Sequence, residues 1–394
     1  MKRFLFFILC LSFTVGFAAV AANRPAANRS SNPGPYMVRV AIVRDARQVN
    51  LQIEGQYAFL DPATAKIIAK GPRLPRSTVR LLDKGMFVGG NAYPYKRIII
   101  QPMHGTAVKI NNHDFRGDVF LLRTPESRIT AINNIYVEDY VKGVLYHEVS
   151  HHWPMEALKA QAVATRTYAL YETGQSKNKD YDVTNDIYSQ VYGGKDSERY
   201  RTGLAVERTA AEVFTYKGKV LPAYFHATCA GMTEDVKEVW DMDGDLAPLK
   251  GVPCLFCKDS PHMHWLKNFR LKDIQDRLNE RGYKIGLVKD LAIVDRTRSG
   301  RIKTLKIIDR DGKELVMKGR DFRELMGPNV LKSNNYDVDM KGYYVDLVGK
   351  GWGHGVGMCQ WGARGMALQQ FNYQQILDYY YPGAERVDYH ELAH

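Results

Sequence analysis

The sequence is 394 residues long, 45% apolar, and carries 55 Lys and Arg against 43 Asp and Glu, a formal net charge of +12. That length and apolar content suffice to bury a proper core in one large domain or two smaller ones, and no stretch beyond the extreme N-terminus is long and apolar enough to span a membrane. In an exported chain the basic balance points away from nucleic acid and toward an anionic envelope polymer or lipid surface, although a merely basic, solvated surface gives the same count.

The first residues show why export is expected. Met1-Lys2-Arg3 precedes an apolar run from Phe4 to Val20, and Ala19-Val20-Ala21 has the small-x-small form of a cleavage site. Residues 1–22 therefore read as a secretory signal peptide, the competing reading being an uncleaved anchor at the short end of bilayer-spanning length. Leu9 before Cys10 rules out a lipobox. Loss of Lys2 and Arg3 with the leader would leave a charge of +10. Residues 23–36 are polar, Pro-rich and aperiodic, and read as a flexible tether.

From residue 37 to 135 short alternating apolar runs dominate, such as Val38–Val43, Val49–Ile53, Arg97–Ile100 and Val119–Leu122, separated by Gly, Pro, Asn and Asp turns. This part is expected to be β-rich. At Val137 the period changes: Tyr140, Val141, Val144, Leu145 and Val149 recur at helical spacing, and after Trp153-Pro154 a second helix is predicted from Met155 to about Glu172. Strands are expected again at Val213–Tyr216, Leu221–Phe225, Leu291–Val294, Leu305–Ile308 and Tyr343–Val348, and a helix at Leu271–Arg281. A glycine loop, Gly351–Gly357, opens a last helix through Ala367. With no internal repeat, the fold class is α+β: a β-rich N-terminal region packed on a mixed α/β catalytic core at 136–385, with a helix pair around 137–172.

The helix pair concentrates the chemistry. Glu148 stands at the junction, while Lys159 and Arg166 lie seven residues apart and so share one face of the second helix. Ala160, Ala162 and Ala164 leave room for close packing beside them. His147-Glu148-Val149-Ser150-His151 also satisfies H-E-x-x-H, which on one helix would present two zinc ligands and the glutamate base of a metallopeptidase. Pro154 and Ala157 stand where a metzincin would have His and Gly, which weakens that alternative.

The whole segment, Tyr140-x2-Gly-Val-x3-Glu148-x4-Trp153-Pro-x-Glu-Ala-Leu-Lys159-Ala-Gln-Ala-Val-Ala-x-Arg166-Thr-Tyr, resembles the core of the SpoIID/LytB family, the stage II sporulation protein D and amidase-enhancer group. Further signatures follow in the family's order: Asp182-Val-Thr-Asn-Asp186 with Gln190 and Tyr192, Tyr224-Phe-His226 through Thr233, Gly353-His354-Gly-Val-Gly-Met-Cys-Gln360, and Tyr380-Tyr-Pro-Gly383. The resemblance implies a lytic transglycosylase acting on peptidoglycan glycan strands, cutting between N-acetylmuramic acid and N-acetylglucosamine and leaving a 1,6-anhydro end. The family's catalytic glutamate falls on Glu148 and its associated lysine and arginine on Lys159 and Arg166. A single carboxyl suits this reaction, because the substrate's own C6 hydroxyl attacks, whereas ordinary glycosidases need two. Such a glutamate must be protonated near neutral pH, so a desolvated site is expected, with Tyr140, Tyr146 and Trp153 as apolar walls and Lys159 and Arg166 turned to substrate oxygens. Asp186, Gln190, Tyr192, His354 and Gln360 are further expected substrate-binding residues, with Trp352 and Trp361 as sugar-stacking surfaces; Asp186 has the alternative of capping a turn. The family also includes non-catalytic enhancers of an N-acetylmuramoyl-L-alanine amidase, which is the second reading.

Four cysteines remain after the leader. Cys254-x2-Cys257 has metal-ligand spacing, with His262 and His264 soon after and Cys229 before, so a structural Zn2+ on Cys229, Cys254, Cys257 and His262 competes with a disulfide. Cys359 has no obvious partner and reads as a buried thiol.

Overall fold

The computed structural model describes residues 36–242 and 244–392. The expected signal peptide, and the tether apart from Tyr36, lie outside the described residues.

Twelve strands precede the first helix: β1 (Met37–Ala46), β2 (Gln48–Ile53), β3 (Tyr57–Leu60), β4 (Ile67–Gly71), β5 (Leu74–Leu81), β6 (Met86–Val88), β7 (Asn91–Tyr93), β8 (Arg97–Pro102), β9 (Val108–Ile110), β10 (His113–Phe115), β11 (Asp118–Arg123) and β12 (Ile129–Tyr136). The β-rich expectation for this region is met. Their period-2 alternation divides them between a seven-stranded sheet, ordered β13-β1-β12-β11-β8-β3-β4 with β13 at Val183–Thr184, and a six-stranded sheet, β10-β9-β2-β5-β6-β7. The inward residues of both sheets, among them Val40, Leu51, Val79, Ile100 and Leu121, join one buried core.

The helices are α1 (Val137–Glu148), α2 (Met155–Gln175), α3 (Tyr200–Arg208), α4 (Val236–Val239), α5 (Leu271–Glu280), α6 (Gly319–Met326), α7 (Gln360–Leu368) and α8 (Tyr373–Tyr380). Helix α1 follows β12 directly. Glu138 and Asp139 in its first turn suit the positive end of the helix dipole, and Val149, at φ −141° and ψ 149°, ends it in extended backbone. Helix α2 is buried on nearly all sides because it lies between two cores: Ala162 and Ala169 join the β-sheet core, while Ala160, Val163 and Ala164 join a second core built with α7 and α8.

A third buried cluster, from Trp265 to Leu347, belongs to a segment with α5, α6 and two three-stranded sheets. Buried Arg301 fastens it to the second core, donating to the Cys229 carbonyl at 3.1 Å and the Met232 carbonyl at 3.3 Å, while Glu234 accepts from the hydroxyls of Thr297 at 2.5 Å and Ser299 at 2.6 Å. Its helix α6 lies along one side of the groove described next.

Candidate active site

Because α1 stops at Glu148, that side chain leaves the helix at its carbonyl end and enters a groove of about 660 Å³. The walls are aromatic: Tyr168 from α2, Tyr188, Tyr224, Trp240 and Trp352. Tyr224 stacks on Trp240 with centroids 4.4 Å apart. These, rather than the expected Tyr140, Tyr146 and Trp153, line the groove that the carboxyl enters. Tyr140 is fully buried beneath the site, and Tyr146 packs under the Arg199 guanidinium.

Two donors hold Glu148. The Val191 N–H reaches Oε1 at 3.3 Å and the Gln360 amide reaches Oε2 at 3.2 Å. Desolvation outweighs both bonds and pushes the carboxyl from its ordinary 4.5 up to about 7, and the negative end of α1 acts in the same direction. Among the described residues no cation pairs with it.

The residues expected to bind substrate divide sharply. Gln360 and His354 line the groove. Both His354 nitrogens are engaged with backbone, Nε2 donating to the Phe225 carbonyl at 3.0 Å and Nδ1 accepting from the Val356 N–H at 3.0 Å, and burial pushes the imidazole down to about 3. It presents a neutral ring to the groove. Gln190 also borders the groove, but its Oε1 accepts from the Tyr140 hydroxyl at 2.8 Å and its Nε2 points to the Thr165 carbonyl, so it fixes the backbone that carries the Val191 N–H.

The others are corrections. Arg166 is wholly buried and makes a two-pronged ion pair with Glu138, at 2.8 and 2.7 Å, because the helical turn that faces it toward α1 also seals it under α3. Lys159 pairs with Glu156 at 2.7 Å and lies over the Tyr373 ring, bracing α2 against α8. Tyr192 is buried, stacked on Tyr140, with its hydroxyl donating to Asn133 at 2.7 Å. Gly143 makes this stacking feasible, since a Cβ there would lie 2.5 Å from the Tyr192 ring. Asp186 accepts from the Thr184 hydroxyl and the Tyr188 N–H and pairs with Arg44, so the turn-capping alternative holds. Trp361 packs edge-on against Trp153 and is absent from the groove lining.

The H-E-x-x-H reading fails on helix geometry. The spacing needs a continuous helix, yet α1 ends at Glu148, so His151 falls beyond it, and His147 Nε2 bonds the Ser197 hydroxyl at 2.6 Å.

The thiols do come together. Cys229, Cys254, Cys257 and Cys359 are buried, unoxidised, and hold their Sγ atoms within 4.8 Å of one another. Cys359, not His262, supplies the fourth position. The Met358–Cys359 strand pairs in parallel with Phe225–His226, which sets Cys359 beside Cys229, whereas the His262 ring packs on Trp352 with Nδ1 3.3 Å from Lys332 Nζ. A tetrahedral zinc with bonds of about 2.3 Å needs sulfurs about 3.8 Å apart. Cys229 and Cys257 hold their sulfurs 3.6 Å apart, too long for a disulfide bond of about 2.05 Å. Cys359 Sγ also accepts N–H bonds from Cys229 and Gly362, and the buried Arg301 cation lies alongside, so the donor set suits an anionic tetrathiolate.

His226, marked in the sequence by its signature segment but given no role there, borders the groove, with Nδ1 at the Val356 carbonyl and Nε2 lacking a hydrogen-bond partner among the described residues.

Comparison with known proteins gives the chain its relatives. A family model described as stage II sporulation protein matches residues 125–216, which include Glu148, and a second, described as a domain of unknown function, matches residues 257–357. The chain is 34% identical over 361 residues to an uncharacterized protein of Brachyspira hyodysenteriae, covering 90% of this chain and 94% of that one. It is 32% identical over 271 residues to stage II sporulation protein D of Bacillus subtilis, covering 65% and 75%. Against the amidase enhancer of Bacillus subtilis it is 29% identical over 301 residues, 63% of this chain but only 40% of that protein's length. The chain, whose Glu148 segment lies within the matched family region, is thus a member of the stage II sporulation protein D family.

Proposed function

We propose that this protein is an exported peptidoglycan lytic transglycosylase that remodels the cell wall, and the observation that carries the proposal is the single partly buried Glu148, held near pKa 7 in an aromatic groove. The protonated carboxyl gives its proton to the glycosidic oxygen as the bond from muramic C1 breaks. The C6 hydroxyl oxygen then bonds C1 and yields its proton to the same carboxylate, so the 1,6-anhydro ring forms, no water is consumed and Glu148 ends as it began. Gln360 and the Val191 N–H hold the anionic intermediate form of the carboxylate. The other groove carboxylates, Asp321 and Glu324, stand exposed on α6. Aromatic faces at Tyr188, Trp240 and Trp352 suit sugar rings.

We also assign one structural Zn2+ to Cys229, Cys254, Cys257 and Cys359. Four thiolates leave no open position, so the ion would brace the loops behind the groove.

A second reading, a wall-binding enhancer of an N-acetylmuramoyl-L-alanine amidase, draws on the likeness to the amidase enhancer. Digestion of purified glycan strands, with and without stem peptides, separates the two. Mass spectrometry should find anhydro ends with wild type and none above background with Glu148→Gln; binding without anhydro product from either substrate would reject the transglycosylase and leave the enhancer.

A further inference from the structure

Beyond residue 36 the net positive charge of this protein is concentrated in one part of it. Residues 37–136 hold 15 Lys and Arg against 7 Asp and Glu, whereas residues 137–394 hold 36 of each. The excess of positive charge beyond residue 36 therefore belongs to the N-terminal region of the two sheets. Two groups stand out among these 15 cations. Arg39, Arg44, Arg97 and Arg116 are matched by Asp182, Asp186, Asp180 and Glu198 of the core that follows. Lys66, Lys70, Arg73, Arg76 and Arg80, with no acid between Asp61 and Asp83, are all exposed and form no ion pair among the described residues.

The face of the six-stranded sheet that carries Arg76 and Arg80 of this group is built for more than charge. On β5, Arg76, Thr78 and Arg80 alternate with inward Val79, and opposite Arg80 and Thr78 stand Gln48 and Asn50 of β2. Arg80 lies over the Phe87 ring at 4.8 Å. Gln48, Thr78, Arg80 and Phe87 line a shallow depression of about 420 Å³. Amide and hydroxyl groups, an aromatic edge and two arginines four residues apart, about 13 Å of backbone along one strand, suit a sugar chain with carboxylates repeated along it better than a featureless anionic film.

We propose that this open sheet face is a second, non-catalytic docking surface for glycan strands whose lactyl carboxylates are free, separate from the Glu148 groove. The proposal rests on the peptidoglycan reading above. Docking there would hold a strand to the protein between catalytic events, and its strength would fall with salt because the participating charges are exposed.

The test uses the full mature chain carrying Glu148→Gln, so that binding is read without turnover, compared with the same chain carrying Arg76→Gln and Arg80→Gln as well. Affinity is measured by co-sedimentation with amidase-stripped glycan strands, with the same strands after carbodiimide amidation of their carboxylates, and with vesicles containing phosphatidylglycerol. The expected result is roughly tenfold weaker binding to stripped strands on neutralising the two arginines, a similar loss on amidating the carboxylates, and a flatter salt dependence. Unchanged binding of the arginine variant, indifference to amidation, or tighter binding to vesicles than to glycan would each overturn the proposal. Cleavage of a short oligosaccharide by otherwise wild-type Arg76→Gln/Arg80→Gln should equal that of wild type. If neither cleaves, the transglycosylase reading fails, while the binding comparison still judges the docking surface.

Discussion

The Gln360 amide donates to Glu148 Oε2 across 3.2 Å, joining the first residue of α7 to the last residue of α1 over 212 positions of sequence. A hydrogen bond to the ionised carboxylate lowers its proton affinity and so opposes the desolvation that raises it. Gln360 thus tunes the acid as well as facing the groove.

Gln360→Leu should therefore raise the Glu148 pKa above its present value of about 7. The loss of one charge-assisted bond corresponds to about one pH unit. In the pH–rate profile, the limb on which activity falls as the acid deprotonates should move alkaline by that amount, with kcat reduced because the carboxylate form loses a donor. A limb that stays in place or moves to lower pH would show that Gln360 does not act on Glu148.

The same raised acid has a cost in stability whose sign is fixed. Below about pH 4.5 native and unfolded chains both hold the proton, so Glu148 contributes no penalty. Between about 4.5 and 7 the unfolded chain releases it while the native chain keeps it, so stability falls as pH rises, levelling off above 7. The full penalty is on the order of 3 kcal/mol. Denaturant titrations of Glu148→Gln against wild type should give the variant the advantage at pH 8 and bring the two curves together toward pH 4. An advantage independent of pH would remove the basis for a raised Glu148.

How far the site was legible depended on whether each feature was local. The alternating Val38–Val43 and Val49–Ile53 runs and the helical spacing of Tyr140, Val144 and Leu145 depend on one element's neighbours, and these strands and this helix formed where they were expected, whereas residues 221–224, expected as strand, are irregular and a further helix, α8, follows the one expected to be last. Glu148 was found because a motif marked it. Arg166 and Lys159 were placed on the right helix but given the wrong partners, since helical spacing fixes a shared direction and not what stands opposite; Glu138 and Glu156 do. His262 lost to Cys359 for a similar reason. Proximity in sequence favoured His262, but a parallel pairing of two short strands 133 residues apart brought Cys359 to Cys229.

Arg166→Met should destabilise the fold by about 3–5 kcal/mol, because it leaves the Glu138 carboxylate without its two-pronged partner in a buried site. The double variant Arg166→Met/Glu138→Leu should recover most of that loss, as replacement of both charges removes the unpaired group. At a temperature where the single variant remains folded, its KM should match that of wild type. A raised KM with unaltered stability would restore Arg166 to substrate binding.

The cysteine cluster gives the sharpest contrast between neighbouring readings. All four thiols are buried within one small volume, so a bound ion should protect them together. Chain lacking the first 22 residues, purified without chelator, should contain one zinc per molecule by atomic emission, and its four thiols should react with a chromogenic disulfide only after chelation or unfolding. Cys359→Ser removes one thiolate and should lower zinc retention and Tm together, since binding free energy at a structural site is also folding free energy. His262→Ala should leave one zinc in place, because the ring contacts Trp352 and Lys332 and not the sulfurs. Zinc lost from His262→Ala but kept by Cys359→Ser would reverse this assignment, and fewer than four reactive thiols in unreduced, unfolded protein would establish the disulfide instead.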